Sequence, residues 1–225
     1  MRHIHLGLIP DGNRRWAREH GLAPTEGHRH GAVVMENCLK WCLENEIEEV
    51  SVYSLSIENL IKRPQDELRE IFRVLAHYFN KLSTDDLVHK YEIKVRVLGR
   101  IYKLPDFVVK AANNVMRSTR PYQRHFLNLL VAYGAQDELL RCAQALSRSR
   151  IGRVTRKILE RSLWVSRPVD LIIRTGGDHR LSNFLLYQSA YAEIFFVDKY
   201  WPDFTRGDFE ACLEAFERSQ RRMGG

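Results

Sequence analysis

The stretch Arg174-Thr-Gly-Gly-Asp-His-Arg-Leu-Ser-Asn-Phe184 puts guanidiniums, glycines, an acid, an imidazole and a hydroxyl on one short segment. A further acid, Glu193, follows within Tyr191-Ala-Glu-Ile-Phe195. An apolar strand-like run, Val169-Asp-Leu-Ile-Ile173, precedes it. Arginine forks and exposed backbone amides at the end of a strand suit a diphosphate. A nearby carboxylate suits a magnesium ion bound to that diphosphate. The competing reading is a solvated loop with a charged fringe, since Arg and Gly are common in loops.

A second cluster stands near the N-terminus. The run His3-Ile-His-Leu-Gly-Leu-Ile9 stops, and in Pro10-Asp-Gly-Asn-Arg-Arg-Trp-Ala17 a Gly-containing turn follows and a helix-like segment begins. Asp11 is a candidate metal ligand or phosphate-facing acid. Gly12 and Asn13 would let backbone amides approach an anion, and Arg15 would neutralise it. Taken alone, Asp11-Gly12 could be a plain turn. Two such loops, each after a strand, favour one site at the carboxyl ends of a sheet.

The order of the motifs carries a family resemblance. Asp11-Gly-Asn-Arg-Arg-Trp-Ala17 comes first, then Gly27-His28, then Ser56-Ile-Glu-Asn59 with Arg63-Pro64. Arg174 to Phe184 follows with Tyr191-Ala-Glu193, then Trp201-Pro-Asp-Phe204 and Arg221-Arg-Met-Gly-Gly225. Together they resemble the cis-prenyltransferases, whose best-known members are undecaprenyl diphosphate synthases. The match runs from about residue 5 to residue 225.

The resemblance implies a magnesium-assisted (Mg2+) condensation of isopentenyl diphosphate with an allylic prenyl diphosphate. It implies that Asp11 holds the metal and the departing allylic diphosphate. Gly12, Asn13, Arg14, Arg15, Trp16, His28, Ser56, Glu58 and Arg63 would complete the allylic site. Asn59 becomes a candidate in proton removal, on a loop over the site. Arg174, Arg180 and Ser182 would grip isopentenyl diphosphate, with Arg222 and Gly224 reaching a partner's site. Glu193 and His179 would help hold the metal, a dimer interface being one route. A homodimer is implied.

Several positions depart from the family pattern. Pro24 stands where an arginine is common, and Arg14 where glycine is usual. Leu60 replaces an aromatic, Ile61 looks like an extra residue, and Gln136 stands where arginine is common. Asp178 replaces a glutamate and Met223 a phenylalanine. Several fall on the allylic side, which leaves donor identity and coupling mode open. Arg14 is expected to restore part of the charge missing at Pro24. The alternatives are altered chemistry (head-to-middle coupling or another acceptor) and a non-catalytic partner subunit. Retention of Asp11 and Glu193 speaks against the second.

Strands are expected at about 3–9, 48–55, 93–98, 126–132, 169–173 and 193–198, and helices at about 26–45, 65–82, 84–90, 105–118, 135–148, 155–162 and 206–221. Alternation of this kind predicts an α/β fold: one domain, 1–225, with a mostly parallel six-stranded sheet flanked by helices. Leu68, Ile71, Phe72, Leu75, Tyr78, Phe79 and Leu82 recur at helical spacing. They predict a helix, which an ordinary core-facing face would also explain; the resemblance implies that one face packs the sheet and the other lines a hydrophobic tunnel. Phe72 and Tyr78 are expected at the tunnel floor, giving short or medium products.

Composition agrees. The 225 residues are 44% hydrophobic, enough for a substantial core. Lys and Arg outnumber Asp and Glu, 35 to 28, giving +7, which suits polyanionic substrates or anionic membrane surfaces. Nucleic acid is not expected, because no basic run with interleaved aromatics and no DNA-binding motif is present. Cys38, Cys42, Cys142 and Cys212 lack zinc spacing and read as reduced, buried thiols. A cytoplasmic protein is expected, with peripheral membrane contact open to it through a lipid product.

Overall fold

Branched and aromatic runs form the strands, and amphipathic runs form the helices between them. The computed structural model describes residues 2–149 and 153–219. Strand β1 (Arg2–Ile9) is followed by α1 (Asn13–Glu19) and α2 (Pro24–Glu44). Then come β2 (Ile47–Ser56), α3 (Ile57–Lys62), α4 (Gln65–Leu82), α5 (Asp86–Lys90) and β3 (Ile93–Leu98). Helix α6 (Asp106–Ser118), β4 (His125–Tyr133), α7 (Ala135–Arg148) and α8 (Arg156–Ser162) follow. Last are β5 (Leu171–Thr175), β6 (Glu193–Val197) and α9 (Arg206–Arg218).

The strands form one sheet in the order β3-β4-β2-β1-β5-β6, and every pairing is parallel. All six expected strands are present, and the expected helices fall close to their places. Helix α1 forms where the sequence suggested a helix-like segment after the Gly12 turn, and a short helix, α3, arises where it suggested a loop. Helix α1 starts without a side-chain cap, so the usual signal is absent. Helix α3 is capped by Ser56. The strand expected at 169–173 lies two residues later, which puts Arg174 and Thr175 inside it.

Alternate residues of the strands face opposite sides. Leu6, Leu8, Val50, Val52, Leu127 and Leu129 pack toward α2, α4, α6 and α9. Ile9, Leu130 and Ile172 face a second cluster with Ala135, Val165, Phe184 and Leu185. The first side is hollow. A cavity of about 1420 Å³ lies between the sheet and helices α2 and α4. Met35 and Leu39 of α2, Val50 and Val52 of β2, and Leu75 and Phe79 of α4 line it. Its lining includes both ends of β2, from Ser56 to Ile47, a span of roughly 30 Å at strand rise.

The second side is filled and cross-linked. Glu138 of α7 is 1% exposed and accepts from Tyr133 Oη at 2.5 Å, Trp164 N at 2.5 Å, Val165 N at 3.3 Å and Gln188 Nε2 at 3.2 Å. Burial and the facing Glu138 carboxylate both push the Tyr133 phenol far above its ordinary value. Glu138→Ala would strand these buried donors, each worth about 1–3 kcal/mol when left unsatisfied. Urea unfolding should therefore show a loss of more than about 3 kcal/mol, with Glu138→Gln losing less. An unchanged midpoint in Glu138→Ala would refute this anchoring role.

Candidate functional site

The chain leaves β1 toward β2 but leaves β5 toward β6, so the carboxyl ends of the neighbours β1 and β5 border a switch point of the sheet. Asp11 sits there, just past β1. Its carbonyl accepts from Trp201 N at 2.9 Å and Thr175 Oγ1 at 2.8 Å. Its Oδ1 accepts from Gly12 N at 2.7 Å, and its Oδ2 from Arg174 Nη2 at 2.7 Å. Gly12 has φ 106, a left-handed value open to glycine but costly for other residues. The turn starts α1 with Gly12, Asn13, Arg14 and Arg15 all lining the cavity. The first turn of a helix leaves its amides unpaired, the end that favours anions.

The end of β5 and the segment after it supply the facing charge. Arg174 is 2% exposed. Its Nη1 donates to Ser182 Oγ at 2.8 Å and to the Arg180 carbonyl. Its Nε is buried without a partner. Asp178 accepts from Arg180 at 2.7 Å and lies 3.4 Å from Arg15. Asp11 and Asp178 therefore share the Arg15 and Arg174 guanidiniums. Neither acid is fully covered, with about a third of each side chain exposed.

A second basic corner lies opposite. Glu67 of α4 accepts from Arg63 at 2.5 Å, sits 3.2 Å from His28 Nε2 of α2, and 3.5 Å from Arg14 Nε of α1. Arg63 also meets His28 at 2.9 Å. Burial pulls the Arg63 guanidinium below its ordinary value, while Glu67 opposes that shift. A guanidinium in this setting favours a second anion. The His28 hydrogen bond, helped by Arg63 and Arg14, holds the Glu67 carboxyl below its ordinary value.

Asp11, Gly12, Asn13, Arg14, Arg15, His28, Ser56, Glu58, Asn59, Arg63, Arg174, Arg180 and Ser182 all line the one cavity. Trp16 does not. It is buried, its indole donates to Asp203 at 2.8 Å, and its ring lies against His20 and His30. Trp16 therefore holds α1 in place and does not reach the cavity. His179 lies outside the lining as well, stacked on Phe196 and 3.9 Å from Asp198. Glu193 pairs in register with Leu171, which is level with Leu6. It is thus five residues short of Asp11, roughly 16 Å along the sheet, and accepts from Ser219. One chain does not bring Glu193 to Asp11. Arg222 and Gly224 lie outside the described residues.

Glu67 was missed, although its four-residue spacing from Arg63 was a usable signal. Asp203 and Trp201 were seen only as a motif. Trp201 Nε1 donates to the Gly31 carbonyl at 2.7 Å, which ties the Asp11 turn to α2. Among the described residues no three His, Cys, Asp or Glu side chains form a metal cage. Magnesium needs none. It takes one or two carboxylates and completes its shell with phosphate oxygens and water. The partly exposed Asp11, with Asp178 beside it, fits that demand.

The Glu67 pair makes a prediction about pH. A carboxyl with a depressed folded value stabilises above its unfolded value, near 4.5, and loses that contribution as pH falls through the folded value. Glu67→Gln should therefore be less stable than the parent at neutral pH, and the gap should close in acid. Chemical unfolding of both proteins between neutral and strongly acidic pH measures it. A gap constant with pH would contradict the role given to Glu67.

Comparison with known proteins agrees with this geometry. The family model described as "Putative undecaprenyl diphosphate synthase" matches residues 9–224. A tritrans,polycis-undecaprenyl-diphosphate synthase (geranylgeranyl-diphosphate specific) of Methanopyrus kandleri is 41% identical, covering 98% of this chain and 84% of its own. A synthase of Sulfolobus acidocaldarius with the same specificity in its name is 38% identical, covering 98% and 87%. Among solved structures, a probable undecaprenyl diphosphate synthase from Campylobacter jejuni is similar at TM-score 0.83, with 30% identity and full coverage of both chains. Lavandulyl diphosphate synthase from Lavandula x intermedia, solved with dimethylallyl diphosphate, is similar at TM-score 0.91, with 25% identity and 98% coverage of both. The chain belongs to the undecaprenyl diphosphate synthase family of cis-prenyltransferases.

Proposed function

We propose that this enzyme extends geranylgeranyl diphosphate with successive isopentenyl units to a (Z)-polyprenyl diphosphate of undecaprenyl length. The observation that carries the reading is a single cavity, basic at the switch point and aliphatic along β2. A molecule with a diphosphate head and a growing hydrocarbon tail has that polarity. The donor and product lengths are those named for the archaeal relatives.

The allylic diphosphate would lie between the Gly12-Asn13 turn and the Arg14, Arg63 and His28 corner. The isopentenyl diphosphate would lie against Arg174, Arg180 and Ser182. Magnesium held by Asp11 would neutralise charge on the leaving diphosphate. The C1–O bond of the donor breaks, and the isopentenyl double bond forms the new bond to C1. A proton is then lost from the isopentenyl unit, with Asn59 the candidate to guide its departure. Cationic groups fixed in advance stabilise the developing charge without reorganising. The aliphatic walls keep water from the electron-poor carbon. Another copy of the chain could bring Glu193 to the metal, in keeping with the homodimer expected from the resemblance.

The direct test is incubation with magnesium, labelled isopentenyl diphosphate and allylic diphosphates of increasing length. Linear cis products, made fastest from geranylgeranyl diphosphate, are expected. Branched products would establish head-to-middle coupling instead, and no incorporation in folded protein would favour a partner-dependent subunit. Asp11→Ala should lower turnover by about a hundred-fold or more in protein that still folds. Wild-type turnover in that variant would overturn the site.

The cavity also revises the expected floor. Tyr78 lines it, but Phe72 does not and packs into the surrounding core. Tyr78→Ala should lengthen the products seen by chromatography. Phe72→Ala should instead destabilise the fold by about 3–5 kcal/mol without changing their length. Unchanged length in Tyr78→Ala would remove Tyr78 from the floor.

A further inference from the structure

Asn183 joins three parts of the site through one side chain. Its Nδ2 donates to Glu58 Oε1 of α3 at 2.9 Å. Its Oδ1 accepts from Gln136 N at 2.9 Å, and its carbonyl accepts from Ala135 N at 2.9 Å. Its own chain is the loop whose Ser182 receives Arg174. The conformation is specialised, with φ 49 at Ser182 and 66 at Asn183. Asparagine is among the few residues that adopt left-handed backbone at low cost.

Space is reserved for this contact. A Cβ on Gly134 would lie 2.7 Å from Asn183 Nδ2 and 3.2 Å from Ile57 Cγ2. The bare backbone at Gly134 thus lets the Asn183 loop and α3 meet over the end of β4. The Gln136 side chain is exposed and takes no part. A second physical reason concerns Glu58. It lines the cavity, where a free carboxylate would repel diphosphates. Asn183 engages one of its oxygens.

We propose that Asn183 is a positioning residue. Through Glu58 it holds α3, which carries Asn59, in register with the Arg174–Ser182 loop, so the two substrates' walls move as one body. The proposal rests on reading the site as a cis-prenyltransferase centre. It touches no substrate atom itself.

An exchange of donor and acceptor tests it. Asn183→Asp keeps the acceptor for Gln136 N but sets a carboxylate against Glu58. It should raise KM for isopentenyl diphosphate and lower kcat/KM by about ten-fold or more. Glu58→Gln in the same protein restores a donor facing Asp, so the double variant should recover to within about three-fold of Glu58→Gln alone. A merely structural role for Asn183 gives no such rescue. A double variant no better than Asn183→Asp, or an unaffected Asn183→Asp, overturns the proposal.

Should Asn183→Asp fail to fold, Glu58→Ala cuts the same bond from α3, and wild-type kcat and KM there also overturn it. Hydrogen exchange of α3 amides gives a readout without turnover. Inorganic pyrophosphate should slow exchange in the parent and not in Glu58→Ala. Equal slowing in both sinks the coupling. A parent that binds pyrophosphate but incorporates no isopentenyl unit sinks the enzymatic reading alone.

Discussion

A hollow of about 1420 Å³ is the constraint around which the molecule is arranged. Protein interiors normally pack like organic crystals, with few voids larger than water. Residues facing such a space receive no dispersion energy from across it. The walls must therefore be held from behind and at their seams. Behind the sheet, Glu138 locks α7 to the 163–165 segment and Gln188. Behind α4, the apolar face of α6 packs in through Val108, Ala112 and Val115. At the seam between α2 and α4, Glu36 meets Lys81 at 2.6 Å, and Arg29 meets Glu70 at 3.4 Å. Exposed pairs contribute little singly, but here they close an edge that packing cannot fill.

The polar end obeys a related rule. Six arginines, at 14, 15, 18, 63, 174 and 180, line one cavity. Without an anion their mutual repulsion and partial burial are unfavourable. Asp11, Asp178 and Glu67 compensate, each bonded to or within 3.5 Å of at least two of them. A diphosphate then meets cations already oriented, and competes with carboxylates for them. On the proposed reading, a carboxylate shared between two guanidiniums would be free to take a magnesium ion once phosphates took its partners.

Much of this was legible in the sequence because the chemistry sits in contiguous loops after strands. Alternation of strand and helix gave a parallel sheet, and Asp11 and Arg174 fell at the ends of strands that proved to be neighbours. What was illegible depends on long-range contacts. Nothing local says that Trp16 turns toward Asp203 and away from the cavity. Nothing local puts Phe72 in the packed core while Tyr78, six residues on, faces the hollow. The place of Glu193 needed the register of β5 with β6, since a motif fixes residue types but not the end of the strand on which they fall. Helix α1 lacked a capping side chain, so only the Gly12 turn signalled its start.

The departures from the family pattern sort by which atoms the structure uses. At Gln136 only the backbone N–H is engaged, by Asn183, so the side chain is free to vary. Ile61 is 74% exposed on α3 and constrains little. Pro24 is different, because the missing group there is a charge. Proline suits the first turn of α2, where its absent N–H is not needed, yet it brings nothing to an anion. Arg14 enters the same cavity from α1, with Nε 3.5 Å from Glu67. Glu67 joins Arg14 to Arg63 and His28, so on the proposed reading this corner would keep a basic character with the charge carried by a different element.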